Sequence, residues 1–160
     1  MTKPLFLAAA LCALAACASS PEQAAAKAAA AGPAISTVPA EGLPPQRLAP
    51  GECGLFLWSM SAPRQFVFFT KGSSGDALVL IGDKTTSIPM TSAGGDVFGQ
   101  FLSRMTFEDL TSKVKVTVSI EPGKPLEGGQ RVGSGNIQFR DAEGWEPVLP
   151  VTGVRACMPG

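Results

Sequence analysis

Four cysteines, at positions 12, 17, 53 and 157, are the most chemically versatile side chains of this chain, and histidine is absent. Without an imidazole, Ser-His-Asp catalysis, Cys-His catalysis and His-containing zinc sites are all excluded. Gly133-Ser134-Gly135 carries a fragment of a nucleophile elbow but lacks the full Gly-x-Ser-x-Gly spacing. A Ser-Lys dyad would need Lys113 or Lys115, and both fall on the polar side of an alternating run. The triplet therefore reads as a turn or bulge. Asp76, Asp83, Asp96, Glu108 and Asp109 are the carboxylates that acid–base or calcium chemistry would draw on. Glycoside hydrolysis needs two carboxylates at a set separation, and calcium needs six or more oxygen ligands. No Asp-x-Asp-x-Asp-Gly pattern occurs, so these acids read as turn and surface residues. The expectation is no metal ion, no dissociable cofactor and no enzymatic turnover.

A second set of residues suits recognition. Trp58 closes the apolar run Leu55-Phe56-Leu57-Trp58 and reads as core. Trp145 stands between Gly144 and Glu146-Pro147. Core packing is its first reading; if exposed, its broad apolar face would suit a partner surface or a sugar ring. Arg131, Arg140 and Arg155 lie on or near the last two strands, as solvated strand residues or as an anion-facing patch. Arg131, Ser134, Arg140 and Trp145 are the candidate partner-binding residues.

The amino terminus has the parts of an export signal. Lys3 and the α-amine give a positive start, and Leu5 to Ala16 is almost wholly apolar. That run is too short for a membrane-spanning helix, which needs roughly 20 residues. It ends in Leu14-Ala15-Ala16-Cys17. The bland alternatives are an ordinary signal with a chance cysteine and a short buried helix. The tetrapeptide closely resembles the lipobox of bacterial prolipoproteins, Leu-(Ala/Ser)-(Gly/Ala)-Cys. The resemblance implies a diacylglycerol on the Cys17 thiol, cleavage between Ala16 and Cys17, and an N-acyl chain on the new amine. More than one acyl chain makes membrane attachment stable, at about 0.8 kcal/mol per buried methylene. Ala18 follows the anchor. In lipoproteins of the familiar Gram-negative type, Asp at that position retains the protein in the inner membrane. Its absence implies an outer-membrane protein facing the periplasm.

Cys12 would leave with the signal, and Cys17 would carry lipid. In the oxidising compartment that the resemblance implies, Cys53 and Cys157 are expected to form a disulfide. Lys plus Arg equals Asp plus Glu at 13 each, so no basic excess points to nucleic acid or anionic lipid. The expected organisation is a signal at 1–16, a lipid anchor with an Ala/Pro-rich tether at 17–50, and one globular domain at 51–160. Ala24 to Ala31 is too short to hold as a lone helix, and Pro33, Pro39, Pro44, Pro45 and Pro50 favour extended chain.

From Cys53 onward the sequence reads as short strands punctuated by turns. Leu55–Trp58, Phe66–Phe69 and Ala77–Ile81 are apolar runs. Gly82-Asp83 predicts a two-residue hairpin into Lys84–Ile88, with Pro89 ending that strand or marking an edge. Val114, Val116, Val118 and Ile120 alternate with polar residues, which places them on one face of a strand. Pro122-Gly123 and Gly128-Gly129 predict turns. Arg131 to Arg140 is the next strand, with a bulge at Gly133-Ser134-Gly135, because Val132 and the pair Ile137, Phe139 differ in parity. The last strand is Val148 to Cys157, with Pro150 implying an edge or irregular pairing. Phe98, Phe101, Leu102 and Met105 have helical spacing, yet Phe98–Lys113 reads as strand and loop with at most one helical turn.

Seven or eight such strands predict a mainly β fold, a small antiparallel barrel or sandwich stapled by one disulfide. Gly133-Ser134-Gly135, Trp145 and Cys157 are loosely similar to the small lipid-anchored lysozyme inhibitors of bacteria. Those are disulfide-tied barrels with a Ser-containing loop that enters the enzyme cleft. The chain departs from their pattern in lacking Tyr and the Lys-Gly after Trp. The leading expectation is a non-enzymatic envelope module, bound to a membrane by lipid and to an envelope protein or glycan. Inhibition of a secreted hydrolase such as lysozyme, and a carboxylate-dependent cell-wall enzyme, are the alternatives.

Overall fold

The computed structural model describes residues 42–81 and 84–160. The lipobox, the cleavage site, most of the expected tether and the Gly82-Asp83 turn lie outside the described residues. Eight strands form the fold: β1 (Cys53–Ser59), β2 (Phe66–Lys71), β3 (Asp76–Ile81), β4 (Lys84–Phe98), β5 (Phe101–Asp109), β6 (Val114–Leu126), β7 (Gly129–Arg140) and β8 (Val148–Cys157). Each pairs antiparallel with the next, and β8 returns to β1, so the sheet closes as an up-and-down barrel. No helix occurs among the described residues.

An eight-stranded barrel is just wide enough for side chains to fill its interior. Here Leu55, Leu57, Phe68, Val79, Ile88, Phe107 and Ile137 are buried there, with Phe68 and Phe107 meeting edge to face at 5.5 Å. Val114, Val116, Val118 and Ile120 all point inward, as the alternation predicts, while their polar neighbours face out. The apparent helical spacing around Phe98 has a different origin. Phe98 and Phe101 face each other across the β4–β5 turn, and Phe101, Met105 and Phe107 share the inward parity of one strand. The expected bulge in β7 is present as a register shift between Val132 and Gly135.

Pro122 and Pro89 behave differently from expectation, while Pro150 stands where the β1–β8 ladder ends. Pro122-Gly123 is not a turn: β6 runs through it to Leu126, and the chain reverses at Glu127-Gly128. Pro122 and Pro125 supply no N–H, and the β6–β7 ladder slips beside both of them. Pro89 neither ends β4 nor marks an edge, since a closed barrel has none. It occupies the last rung of the β3–β4 ladder, and from Met90 onward β4 pairs with β5. The β4–β5 ladder slips between Gly94 and Val97, where Gly95 has φ +83° and a Cβ would lie 2.3 Å from Ser103 Oγ. Pro150 sits inside β8 opposite Asn136; its carbonyl accepts the Met60 N–H at 2.9 Å, so its missing donor falls where β1 stops.

Cys53 and Cys157 are direct partners across the β1–β8 seam and are disulfide-bonded. Residues 42–52, expected largely in the tether, form a strap on the outer wall. It starts beside β2, where the Leu43 N–H donates to the Phe66 carbonyl at 2.7 Å, and ends at Cys53. Leu43 and Leu48 cover an outer apolar cluster with Phe56, Phe66, Phe69, Leu78 and Leu80. Glu52 fixes the far end of the strap. Its Oε2 accepts the Ala49 N–H and the Lys71 ammonium, each at 2.9 Å, and its Oε1 accepts the Ser73 hydroxyl at 2.9 Å. The Ala49 amide, then Lys71 and Ser73, hold the Glu52 carboxyl down at about 2, against an ordinary 4.5.

Two measurements check this clamp and the seam. The folded state lowers the proton affinity of Glu52, so its contribution is complete above the unfolded value near 4.5 and is lost as pH falls toward 2. The Tm difference between wild type and Glu52→Gln should therefore be largest near pH 6 and shrink below pH 4.5; a constant difference would exclude the titration. Replacing both Cys53 and Cys157 by Ser opens a loop with a sequence separation of 104. Urea unfolding should show a loss of up to about 4–5 kcal/mol, the chain-entropy value for a loop near 100 residues.

Candidate functional site

The four residues singled out in the sequence do not form one site. Arg131 and Arg140 both face outward on β7 but are nine residues apart, which is about 30 Å along a strand. Ser134 stands on the β7 bulge rather than on a loop, and its hydroxyl donates to Glu121 Oε2 at 2.5 Å. Ser134 pairs with Glu121 on β6, whereas Lys115 pairs with Arg140, about 20 Å away along β6. The Ser-Lys dyad is thus excluded by geometry. The loop insertion that the lysozyme-inhibitor resemblance implied has no loop at Ser134 to make it. Arg140 is committed to an ion pair with Glu146, which also accepts from Gln138 at 2.8 Å.

Trp145 is 46% exposed, against the core reading. Its loop is tightened instead by the backbone, with the Trp145 N–H donating to Asp141 Oδ1 at 2.8 Å. Arg155 has the opposite placement. It pairs with Leu55 on the inward face, at the disulfide end of the barrel. Its guanidinium donates to Gln100 Oε1 at 3.2 Å and lies 5.8 Å from the centre of the Phe98 ring. Gly99 makes room for it, because a Cβ there would stand 2.7 Å from its nitrogen. Arg155 is thus a stopper at one mouth of the barrel.

The carboxylates are dispersed. Asp109 organises the β5–β6 turn: the Ser112 hydroxyl and Thr111 amide bind its oxygens at 2.6 and 2.9 Å and hold its carboxyl below the usual range. Among the described residues, no three acidic or cysteine side chains cluster as metal ligands would.

The arrangement best suited to binding lies on the outer wall across β7, β8 and β1. Period-two alternation sends Leu55 and Leu57 into the barrel and therefore Phe56 and Trp58 outward, which corrects the core reading of Trp58. The indole is half-buried and stacks on Phe66 at 5.2 Å and 29°, with Phe56 beyond at 6.4 Å. Trp58 pairs with Thr152 on β8, and Val154 pairs with Arg131 on β7. Arg64, from the loop after β1, completes a groove of about 260 Å³ lined by Trp58, Arg64, Arg131, Thr152, Gly153 and Val154. The Thr152 hydroxyl is occupied by the Val132 carbonyl at 3.0 Å. Among the described residues, neither Arg64 nor Arg131 has a hydrogen-bonding or ion-pairing side-chain partner, and no carboxylate lines the groove. Sequence reasoning found Arg131 and missed Trp58 and Arg64. The alternation of β1 was the available signal for Trp58; nothing local marks Arg64.

The two indoles should be separable by emission. With Trp145→Phe, the remaining Trp58, packed on Phe66, should emit at shorter wavelength and resist acrylamide more than Trp145 does in a Trp58→Phe variant. Equal spectra and quenching would refute the two placements. Comparison of the chain with protein-family models, with curated proteins and with solved structures gave no match.

Proposed function

We propose that this chain is a lipid-anchored envelope protein, carried on acyl chains at Cys17, whose barrel binds an envelope protein or glycan without turning it over. The anchor reading rests on Leu14-Ala15-Ala16-Cys17 at the end of a short apolar run. The Cys53–Cys157 bridge supports it, since such bridges persist in oxidising compartments. Ala18 after the anchor favours the outer membrane, facing the periplasm.

The binding reading rests on one observation: two guanidiniums with no side-chain partner among the described residues flank a half-buried indole on the outer wall. The interior is occupied by apolar side chains, so a ligand meets the outer wall or the loop ends rather than a lumen. Outward residues of β6 such as Lys115, Thr117, Ser119 and Glu121 are polar, the reverse of a lipid-facing barrel. On this reading lipid carries the membrane attachment, and the barrel wall carries recognition.

Cells fed an alkyne fatty acid should label the wild-type chain, which should fractionate with outer membranes. Cys17→Ser should lose both label and membrane attachment. Undiminished label on the variant, or an unlabelled wild type in the cytosol, would overturn the anchor.

A further inference from the structure

We infer that the Trp58–Arg64–Arg131 groove binds a carboxylate-bearing sugar ring of an envelope glycan. The inference rests on the binding reading above and specifies its ligand. Two guanidiniums on one groove with no carboxylate in its lining make a field that favours an anion. Arginine presents a planar fork that matches a carboxylate in two parallel hydrogen bonds. Trp58 on β1 and Arg131 on β7 are separated by β8 and offset by two residues along it, roughly 12 Å between backbone positions at ordinary strand spacing. One ring lying against the indole can therefore reach a guanidinium with its acid group.

The indole is a rigid platform because Phe66 stacks on it and Phe56 extends the aromatic row. Such a face suits the C–H side of a pyranose, whose polar edge stays in water. The groove, at about 260 Å³, falls below the usual 300–1,000 Å³ of sites that enclose larger organic ligands, so it accommodates a single ring. A peptide is the weaker fit. Extended peptides commonly bind by adding a strand to a free sheet edge, and every strand here is paired on both sides.

The test uses the full chain in detergent with Trp145→Phe, so that Trp58 is the sole fluorophore. The probes are N-acetylglucosaminyl-N-acetylmuramic acid, whose lactyl group is a free carboxylate, and the neutral N,N′-diacetylchitobiose. Circular dichroism and an intact Cys53–Cys157 bridge establish folding of every variant. The acidic disaccharide should change Trp58 emission saturably, and the neutral one should bind about tenfold or more weakly, the worth of one charged hydrogen bond. Arg131→Gln and Arg64→Gln should each weaken the acidic probe by about tenfold, and added salt should weaken it further. Equal binding of the two disaccharides, no saturable change, indifference to both substitutions, or tighter binding of pentaglutamate would each overturn the inference. Equal binding of the two disaccharides or tighter binding of pentaglutamate would remove the acidic sugar and keep the groove as a binding surface, whereas no saturable change with any of the three probes would count against the binding reading as well, so the two failures are distinguishable.

Discussion

The β1–β8 pairing is the contact on which the remainder depends. It converts a curled sheet into a closed cylinder, removes both edges, and sets which face of every strand is inside. Because side chains alternate, a one-residue slip along this seam would exchange Leu55 and Leu57 with Phe56 and Trp58. The interior would then have to hold an indole and lose two close-fitting leucines. Gly153 shows how tight the seam is: a Cβ there would lie 2.0 Å from the Phe56 carbonyl oxygen. The groove on the outer wall is thus a by-product of the same register that packs the core.

Much of this fold was legible where one physical signal stood alone. β6 alternates cleanly because one face meets the core and the other meets water, and the parity conflict in β7 correctly locates its bulge. The cysteine pair was legible through compartment chemistry. Legibility failed where two signals compete. Pro122-Gly123 carries turn chemistry, yet the continuous ladder from Lys115 to Glu121 before it and the Pro125–Gln130 and Leu126–Gly129 rungs after it carry the strand through. Leu55–Trp58 hides its alternation because both faces are apolar: one packs inward, and the other joins an outer cluster sealed by Leu43 and Leu48. The strap itself is Pro-rich and reads as spacer, because its two leucines have no visible period.

The candidate site was less legible than the fold. Arg64 and Arg131 stand 67 positions apart in sequence and meet only because the barrel closes. Arg155 reads like its neighbours Arg131 and Arg140, but its parity on β8 turns it inward to Phe98 and Gln100. Likewise Trp58 and Trp145, both read first as core, stand on the outer wall and in an exposed loop. Strand parity settles Trp58, and loop hydrogen bonding settles Trp145. Tertiary closure decided which residues share a surface.

The route of the strap bears on mechanics. It starts beside Phe66 and runs along the wall to Cys53, so among the described residues a pull applied at residue 42 would fall first on the Leu43–Phe66 contact. Such a pull peels the strap from its near end, contact by contact, until it reaches the three bonds on Glu52. Immediately behind them the covalent crosslink to β8 arrests the tear, because force at residue 53 is shared with the opposite terminus. A pull applied at residue 42 would therefore be met by the strap before it reached the barrel.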